Sequence, residues 1–366
     1  MENYKRYDYL DSIRGLSAFS VLYSHAINEH DFYQGNNFGV NEFFLLSSFL
    51  LTYQLMLRYE NKSKYNQIII QSINYLIMRF FRVYIPFIIF ILFVKLTSAY
   101  GGFLRQFEFE ISFKNFLLLN FNTLPHHTYL WTIPVECKFY LIIPFISLIG
   151  HYLNLNYILA IVQYLITLII IWNLPKMNVN LGSITSFLFN MPVFLIGCSL
   201  AILIKSIDKH HHRLNMTTII TNRFLNNLID ILTFLMFLIG ARLQYFFNNL
   251  CNFGVYWSIH MLLMLIGAPN NFTNILANFK LLKLIGKYSY GFYLFHGSSM
   301  TLWDWQIKNV TDFINIPFYK LIILTGQALL FGFVFYNLIE NNCIKLAKKI
   351  NVLLLNKFDA EANFQV

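Results

Sequence analysis

The sequence predicts an all-α membrane protein, a polytopic transmembrane helix bundle of about ten spans with both termini in the cytoplasm. Hydrophobic residues make up 57% of the 366 residues and charged residues 12%, so a soluble domain could not bury the apolar surface. Apolar runs close to the ~20 residues that cross a bilayer recur along the chain. Most of the 27 Lys and Arg residues fall in segments that ten spans and an inside N-terminus place on the cytoplasmic side.

The ten expected spans are residues 13–31, 38–57, 82–100, 129–149, 155–173, 183–204, 224–241, 249–268, 287–305 and 318–340. The run 111–124 is too short and polar to cross comfortably, so we expect it to lie along the membrane surface or to re-enter it. An eleventh span there would reverse the orientation of everything that follows. We expect one transmembrane domain over residues 1–345 and a cytoplasmic tail over 346–366, which ends in a disordered DAEANFQV.

The net charge of +10 follows from the basic cytoplasmic loops, so nucleic acid is not an expected partner. Four cysteines show neither pairing nor metal spacing, and we predict no metal site. The triplet His210–His212 lies in a basic inner loop and is expected to be solvated. We expect an integral, multi-pass protein of the plasma membrane or an inner membrane, with an organelle membrane as the alternative; the oligomeric state is left open.

The first span, in DSIRGLSAFSVLYSHA, carries Arg14 and His25. Eleven residues are three helical turns, so the two side chains share a face about 16.5 Å apart along the axis. Asp11 can cap the helix and pair with Arg14. Ionisable residues deep in a span usually face a cavity and serve function, which makes His25 a candidate base. Alternatively, Arg14 anchors the span at the cytoplasmic surface and His25 is merely packed.

The second span begins GVNEFFLLSSF, and MRFFRVYIP precedes the third. Glu42 is expected to be an interfacial charge near the outer end. Ser47 and Ser48 are small enough to let helices approach or to bond across them. Arg79 and Arg82, three residues apart at the inner surface, suit a phosphate group, although two cytoplasmic anchors would show the same pattern.

The fourth span contains LWTIPVECKFYLIIPF. Glu136 is expected about 9 Å below the outer surface, a depth comparable to that of His25. Tyr140 lies one turn further on the same face. A buried glutamate beside a neutral histidine can fix its tautomer and stabilise its protonated form. Lys138 is the alternative partner for Glu136.

The ninth span reads YSYGFYLFHGSS. Tyr290, Tyr293 and His296 are too many polar groups for a helix that faces lipid. The tyrosines are also typical of an interfacial aromatic belt. This helix is therefore expected to present a polar face to the protein interior.

Five of these motifs, in the same order, resemble the signatures of the membrane-bound acyltransferase-3 family, the integral-membrane O-acyltransferases. DSIRGLSAFSVLYSH resembles the family's Arg-x10-His signature, GVNEFFLLSSF its second motif and RFFR its Arg-x2-Arg motif. LWTIPVECKFY and YSYGFYLFH resemble its Trp-Ser-Leu-x-x-Glu-x-x-Phe-Tyr and Ser-Tyr-x-x-Tyr-Leu-x-His motifs. The chain departs from the pattern at Ser48, where the family usually has glycine, and at Asn41, where an aspartate is common. Two asparagines follow Glu340, where a proline is usual two residues after the glutamate.

The resemblance implies transfer of an acyl group, commonly acetyl, from cytoplasmic acyl-coenzyme A to a hydroxyl of a carbohydrate or lipid acceptor at the other membrane face. It implies no tightly bound cofactor, since acyl-CoA (acetyl-CoA) is the donor substrate, and the remaining partner is membrane lipid. Arg14, Arg79 and Arg82 would hold the donor phosphates, with His25 as base and Glu136 orienting it. The candidate substrate or oxyanion contacts are Ser47, Ser48, Tyr140, Tyr290 and His296.

Two other functions fit the same side chains. A proton-coupled secondary transporter is also a bundle with intramembrane His, Glu and Lys. Such carriers tend to have repeated halves with matching broken helices, which this sequence does not show. An acyltransferase of another membrane fold, or a scaffold that has lost activity, is the further alternative.

Overall fold

A computed structural model describes residues 9–27, 38–60, 65–99, 129–173, 183–211, 223–243, 250–266, 271–307 and 317–364. All the regular structure in these ranges is helical. The helices are α1 (Tyr9–Ile27), α2 (Phe38–Glu60), α3 (Tyr65–Arg79), α4 (Ile85–Ala99), α5 (Thr132–Leu153), α6 (Tyr157–Trp172), α7 (Ser183–His211), α8 (Arg223–Leu243), α9 (Leu250–Ile266), α10 (Asn271–Asn278), α11 (Lys280–Lys287), α12 (Ser289–Ile307), α13 (Pro317–Phe335) and α14 (Asn341–Phe364). Each expected span overlaps one of these helices, and the all-α membrane fold is confirmed.

Several of the described helices have the length and composition of membrane spans. Five candidates are Gly39–Glu60, Gln67–Val94, Thr132–Leu153, Asn190–Lys209 and Tyr319–Leu354. Tyr157–Trp172, Phe224–Ile239 and Gly254–Ile266 are shorter apolar helices. The total number of spans and the side on which each terminus lies stay predictions.

Two expected helix boundaries are wrong. The third helix does not begin at residue 82, because α3 continues through a π-helical turn, Phe80–Tyr84, into α4. The segment before the arginines is itself apolar, so Arg79 and Arg82 lie in the middle of the candidate span Gln67–Val94 instead of in a loop before it. Likewise a second π-helical turn, Tyr336–Glu340, joins α13 to α14.

The C-terminal segment is also more ordered than the sequence suggested. Helix α14 continues to Phe364, so most of the expected disordered tail is helical. The run 111–124, expected at the membrane surface, lies outside the described residues.

The chain divides into two compact units. Unit 1 contains residues 1–53 and 152–289, and unit 2 contains residues 54–151 and 290–366. The three boundaries fall within α2, within α5 and after the first residue of α12. The expectation of one transmembrane domain over residues 1–345 with a tail over 346–366 stays a prediction.

Glycines bring the helices of unit 1 together. A Cβ atom on Gly15 of α1 would overlap the Leu282 carbonyl oxygen of α11, and one on Gly286 would overlap the Asp11 carbonyl oxygen. The contact is therefore reciprocal and backbone to backbone. On α2, a Cβ atom on Gly39 would overlap the Ser17 carbonyl oxygen. These contacts fix α1 against two neighbours.

Unit 2 packs mainly through aromatic side chains. Phe295 of α12 lies 5.0 Å from Phe90 of α4, measured between ring centroids, and 5.5 Å from Phe335 of α13. Glycines contribute one close approach, where a Cβ atom on Gly291 would come within 2.9 Å of the Gly332 Cα. The helix that carries the two arginines is thereby fixed to α12.

Candidate functional site

One unbroken helix, α1, carries both Arg14 and His25. Their spacing of eleven residues places them on the same face three turns apart. Arg14 Nη1 lies 3.4 Å from Asp11 Oδ1, which is the pairing that the sequence predicted. His25 lies in the last turn of the helix and is partly exposed. Helix α1 is therefore a rigid spacer between a guanidinium and an imidazole.

Glu42 is not the interfacial charge that was expected. Its side chain is buried, and its Oε2 accepts a hydrogen bond of 2.8 Å from the Ser17 hydroxyl of α1. The close approach at Gly39, three residues earlier, explains why: α2 lies too near α1 for Glu42 to reach an interface. The sequence placed Glu42 by depth alone and could not show which helix it faced.

Ser48 stands where the family pattern has a glycine. In this structure a glycine of another helix, Gly197 of α7, lies against it. Ser48 is fully buried and donates a 3.0 Å hydrogen bond to the Leu45 carbonyl of its own helix. A Cβ atom on Gly197 of α7 would overlap the Ser48 hydroxyl. The close approach of α2 and α7 is thus retained. An oxyanion role for Ser48, or for the partly exposed Ser47, stays a prediction.

Arg79 of α3 lies between two tyrosine rings. Its guanidinium carbon is 5.8 Å from the ring centroid of Tyr75 and 5.9 Å from that of Tyr140. Both rings are buried, and the contacts are cation–π interactions. Arg79 Nε is buried and makes no hydrogen bond to the residues that the structure describes. This side chain is a cation whose described surroundings contain no directly bonded acceptor.

Glu136 lies beside Tyr140 on one face of α5, as their spacing predicted. Its Oε1 accepts a short, 2.5 Å hydrogen bond from the Tyr140 hydroxyl. Glu136 is 7% exposed, and its charge attracts Arg79. Tyr140 therefore links a buried carboxylate to the arginine, contacting one by its hydroxyl and the other by its ring.

The two π-helical turns also meet at charged and polar groups. Arg82 Nε lies 3.9 Å from Glu340 Oε1, and each residue belongs to one of the turns. The Tyr290 hydroxyl donates a 2.7 Å hydrogen bond to the Val83 carbonyl, next to Arg82. Tyr290 is thus engaged in holding the arginine segment. Its predicted contact with substrate stays a prediction.

The polar face expected on α12 points into the protein. His296 is 1% exposed, and its Nδ1 lies 2.5 Å from the Tyr293 carbonyl. A carbonyl only accepts hydrogen bonds, so Nδ1 carries a proton. The Tyr293 hydroxyl in turn accepts a 2.7 Å hydrogen bond from Thr132 at the start of α5.

Unit 2 brings together five of the predicted residues: Arg79, Arg82, Glu136, Tyr140 and Tyr290. Unit 1 holds Arg14, His25, Ser47 and Ser48. The predicted pairing of His25 with Glu136 joins residues of different units and stays a prediction.

Sequence reasoning missed Tyr75 and Glu340. Tyr75 precedes Arg79 by four residues, a helical spacing that could have suggested the ring contact. Glu340 lies 258 positions from Arg82 along the chain, so no local pattern could have paired them. Among the residues that the structure describes, no three His, Cys, Asp or Glu side chains lie close enough to hold a metal ion.

A family model described as an acyltransferase domain matches residues 7–344. The chain belongs to the acyltransferase-3 family. Neither a curated protein nor a solved structure gives a match. This acyltransferase is therefore a helical membrane enzyme, and the family match favours acyl transfer over the transporter alternative.

Proposed function

We propose that this acyltransferase moves an acetyl group from cytoplasmic acetyl-coenzyme A to a hydroxyl of a carbohydrate or lipid at the opposite membrane face. The observation that carries the proposal is the Arg79 guanidinium, which lies between two tyrosine rings with its Nε buried and no acceptor bonded to it among the described residues. Desolvating such a cation costs several kcal/mol, and a ligand of opposite charge offsets that cost. The phosphates of coenzyme A have this charge.

The arginines supply the donor site. Arg82 follows Arg79 by three residues on the same helical stretch. A guanidinium group can bind a phosphate through two parallel N–H···O hydrogen bonds. Arg14 of α1 contributes a third cation that it shares with Asp11. Eleven residues of helix separate Arg14 from His25, about 16.5 Å along the axis, a length that an extended pantetheine arm can span. Along α1, a phosphate would then lie at the Arg14 end and the thioester at the His25 end.

His25 acts as the general base of the proposed reaction. Its imidazole takes the proton of the acceptor hydroxyl as the oxygen attacks the thioester carbon. The carbon–sulfur bond breaks, and the proton passes to the departing thiolate, so the products are an ester and coenzyme A thiol. Glu136 orients the imidazole and stabilises its cationic form. In the two-step alternative, His25 shuttles the proton for a protein acyl intermediate.

The test is transfer by His25→Ala. Membrane vesicles that expose the cytoplasmic face are prepared from cells that express the protein. They receive labelled acetyl-coenzyme A. Alkali-labile label is then counted in the glycan and lipid fractions. Loss of a general base lowers the rate by about 10²–10⁴-fold. His151→Ala is the matched control, because His151 lies at the end of α5 beside Tyr59. Undiminished transfer by His25→Ala would rule out the base, and no transfer by the wild type would refute the proposed function.

A further inference from the structure

Two π-helical turns in unit 2 carry the two partners of one ion pair. Phe80–Tyr84 contains Arg82, and Tyr336–Glu340 ends with Glu340. In each turn the backbone bond closes over five residues, from Ile85 N–H to the Phe80 carbonyl and from Asn341 N–H to the Tyr336 carbonyl. Such turns are rare and are found often at functional sites. Their coincidence with a charged pair requires a common explanation.

The geometry of the pair is one-sided. The Glu340 side chain is 3% exposed, whereas that of Arg82 is 42% exposed. The contact is made by Arg82 Nε, at 3.9 Å. Among the described residues, the terminal nitrogens of this guanidinium make no hydrogen bond or ion pair. The carboxylate thus contacts the Nε side of the guanidinium, on a side chain that stays 42% exposed.

We propose that Glu340 is a positioning residue that holds Arg82 by its Nε and turns the terminal fork toward the donor phosphate. This inference rests on the proposed function. A purely structural ion pair would place the two-nitrogen edge of the guanidinium on the carboxylate, where two parallel bonds form. Here the contact is made by Nε alone and, at 3.9 Å, is longer than a hydrogen bond.

Two neighbouring interactions explain why Arg82 needs this support. Arg79 and Arg82 repel each other, so without a carboxylate their like charges would push the more exposed side chain away. The Tyr290 hydroxyl fixes the local backbone through the Val83 carbonyl. The backbone is therefore held by Tyr290 and the side chain by Glu340. A phosphate would find the fork of Arg82 already oriented.

The test is Glu340→Gln, which keeps the size of the side chain and removes its charge. In the vesicle assay we expect the KM for acetyl-coenzyme A to rise about tenfold, the cost of one charge-assisted contact, with kcat changed less than twofold. Glu340→Asp retains the charge and is expected to recover part of the affinity. Glu60→Gln, at an exposed position at the end of α2, is the matched control. An unchanged KM in Glu340→Gln, or equal falls in kcat for Gln and Asp, would overturn the inference.

A second measurement separates this inference from the proposed function. Phenylglyoxal modifies accessible guanidiniums, and mass spectrometry of the purified protein gives the rate at Arg82 with and without coenzyme A. We expect coenzyme A to slow the modification of Arg82 in the wild type. In Glu340→Gln, we expect this slowing to be at least threefold smaller. If the wild type neither transfers acetyl nor shows protection, the proposed function fails. The rate without coenzyme A still decides on Glu340: a changed rate in Glu340→Gln supports its hold on Arg82, and an equal rate overturns it.

Discussion

Unit 1 and unit 2 position their ionisable side chains by different physical means. In unit 1, glycines let α1 touch the backbone of α11 and α2, so Arg14 and His25 are placed by a helix that is fixed along its length. In unit 2, Arg79 and Arg82 are placed individually by tyrosine rings, a carboxylate and a π-helical turn. The placement of Arg14 and His25 thus depends on close helix packing, whereas that of Arg79 and Arg82 depends on electrostatic contacts.

The comparison gives different expectations for stability. A steric contact between backbones is lost as soon as a side chain is added, because neither backbone can move aside. Burying a cation costs desolvation free energy, which the tyrosine rings, the charge of Glu136 and a bound anion can each offset. Unit 1 should therefore be intolerant of larger residues, while unit 2 should tolerate neutral replacements at the cost of binding.

The largest effect is expected from Gly15→Leu. The new side chain would overlap the Leu282 carbonyl, and we expect the free energy of unfolding to fall by at least about 3 kcal/mol. Thermal unfolding in detergent measures it. Gly326→Ala on α13 is the control, because a Cβ atom there meets nothing within 4 Å; it should be neutral or stabilising. Equal melting temperatures for the two variants would contradict a shape-determined unit 1.

Arg79→Met should separate stability from binding in unit 2. Methionine removes a buried cation that the described residues do not hydrogen-bond, but it also removes the charge that attracts the buried Glu136. Because these two effects oppose each other, we expect the free energy of unfolding to change by no more than about 1–2 kcal/mol. Binding of coenzyme A, measured by calorimetry, should weaken at least about tenfold. Arg79→Lys keeps the charge without the planar fork and should bind at an intermediate level. A large loss of stability in Arg79→Met would mean that Arg79 is structural.

Ser17→Ala tests the one buried polar contact described between α1 and α2 at Glu42. Removing the hydroxyl leaves a buried carboxyl oxygen without this donor, and we expect a loss of about 1–3 kcal/mol. Ser20→Ala is the control, because among the described residues that hydroxyl donates to the Leu16 carbonyl of its own helix and to no other helix. Adding Glu42→Leu to Ser17→Ala should restore stability, and failure to do so would show that Glu42 is held by other groups.

Tyr290→Phe should give the smallest effect. It removes one hydrogen bond to the Val83 carbonyl, worth about 1 kcal/mol in unfolding free energy. Tyr23→Phe, on the exposed face of α1, is the control and should change stability by less than about 0.5 kcal/mol. A KM increase for acetyl-coenzyme A in Tyr290→Phe would show that the hydrogen bond to the Val83 carbonyl also helps to position the arginines for donor binding.

The sequence predicted the helices well because apolar runs report hydrocarbon-spanning length directly. It also predicted contacts within one helix, such as Asp11 with Arg14 and Glu136 with Tyr140, since helical spacing fixes them. It could not predict contacts between helices. Glu340 with Arg82 depends on how distant segments pack, and no periodicity encodes that.

Two errors have the same origin. Glu42 was placed by its depth, and its burial depends on a glycine three residues away that brings α1 close. The start of the third helix was placed at the arginines because charges usually end a span. Arg79 instead ends α3, and Arg82 lies in the π-helical turn that continues α3 into α4. In both cases a polar residue was tolerated in the interior because a neighbour compensated it.

The π-helical turn at Phe80–Tyr84 has a further consequence for the length of the chain. A turn of this kind holds one residue more than an α-helix uses over the same rise. Deleting one residue there would leave an ordinary α-helix, with the buried Phe87 and Phe90 still directed as they are. A deletion in the α-helical parts on either side would instead rotate everything beyond it by about 100°. The π-helical turn is therefore a place where this helix can change its number of residues without turning its buried face.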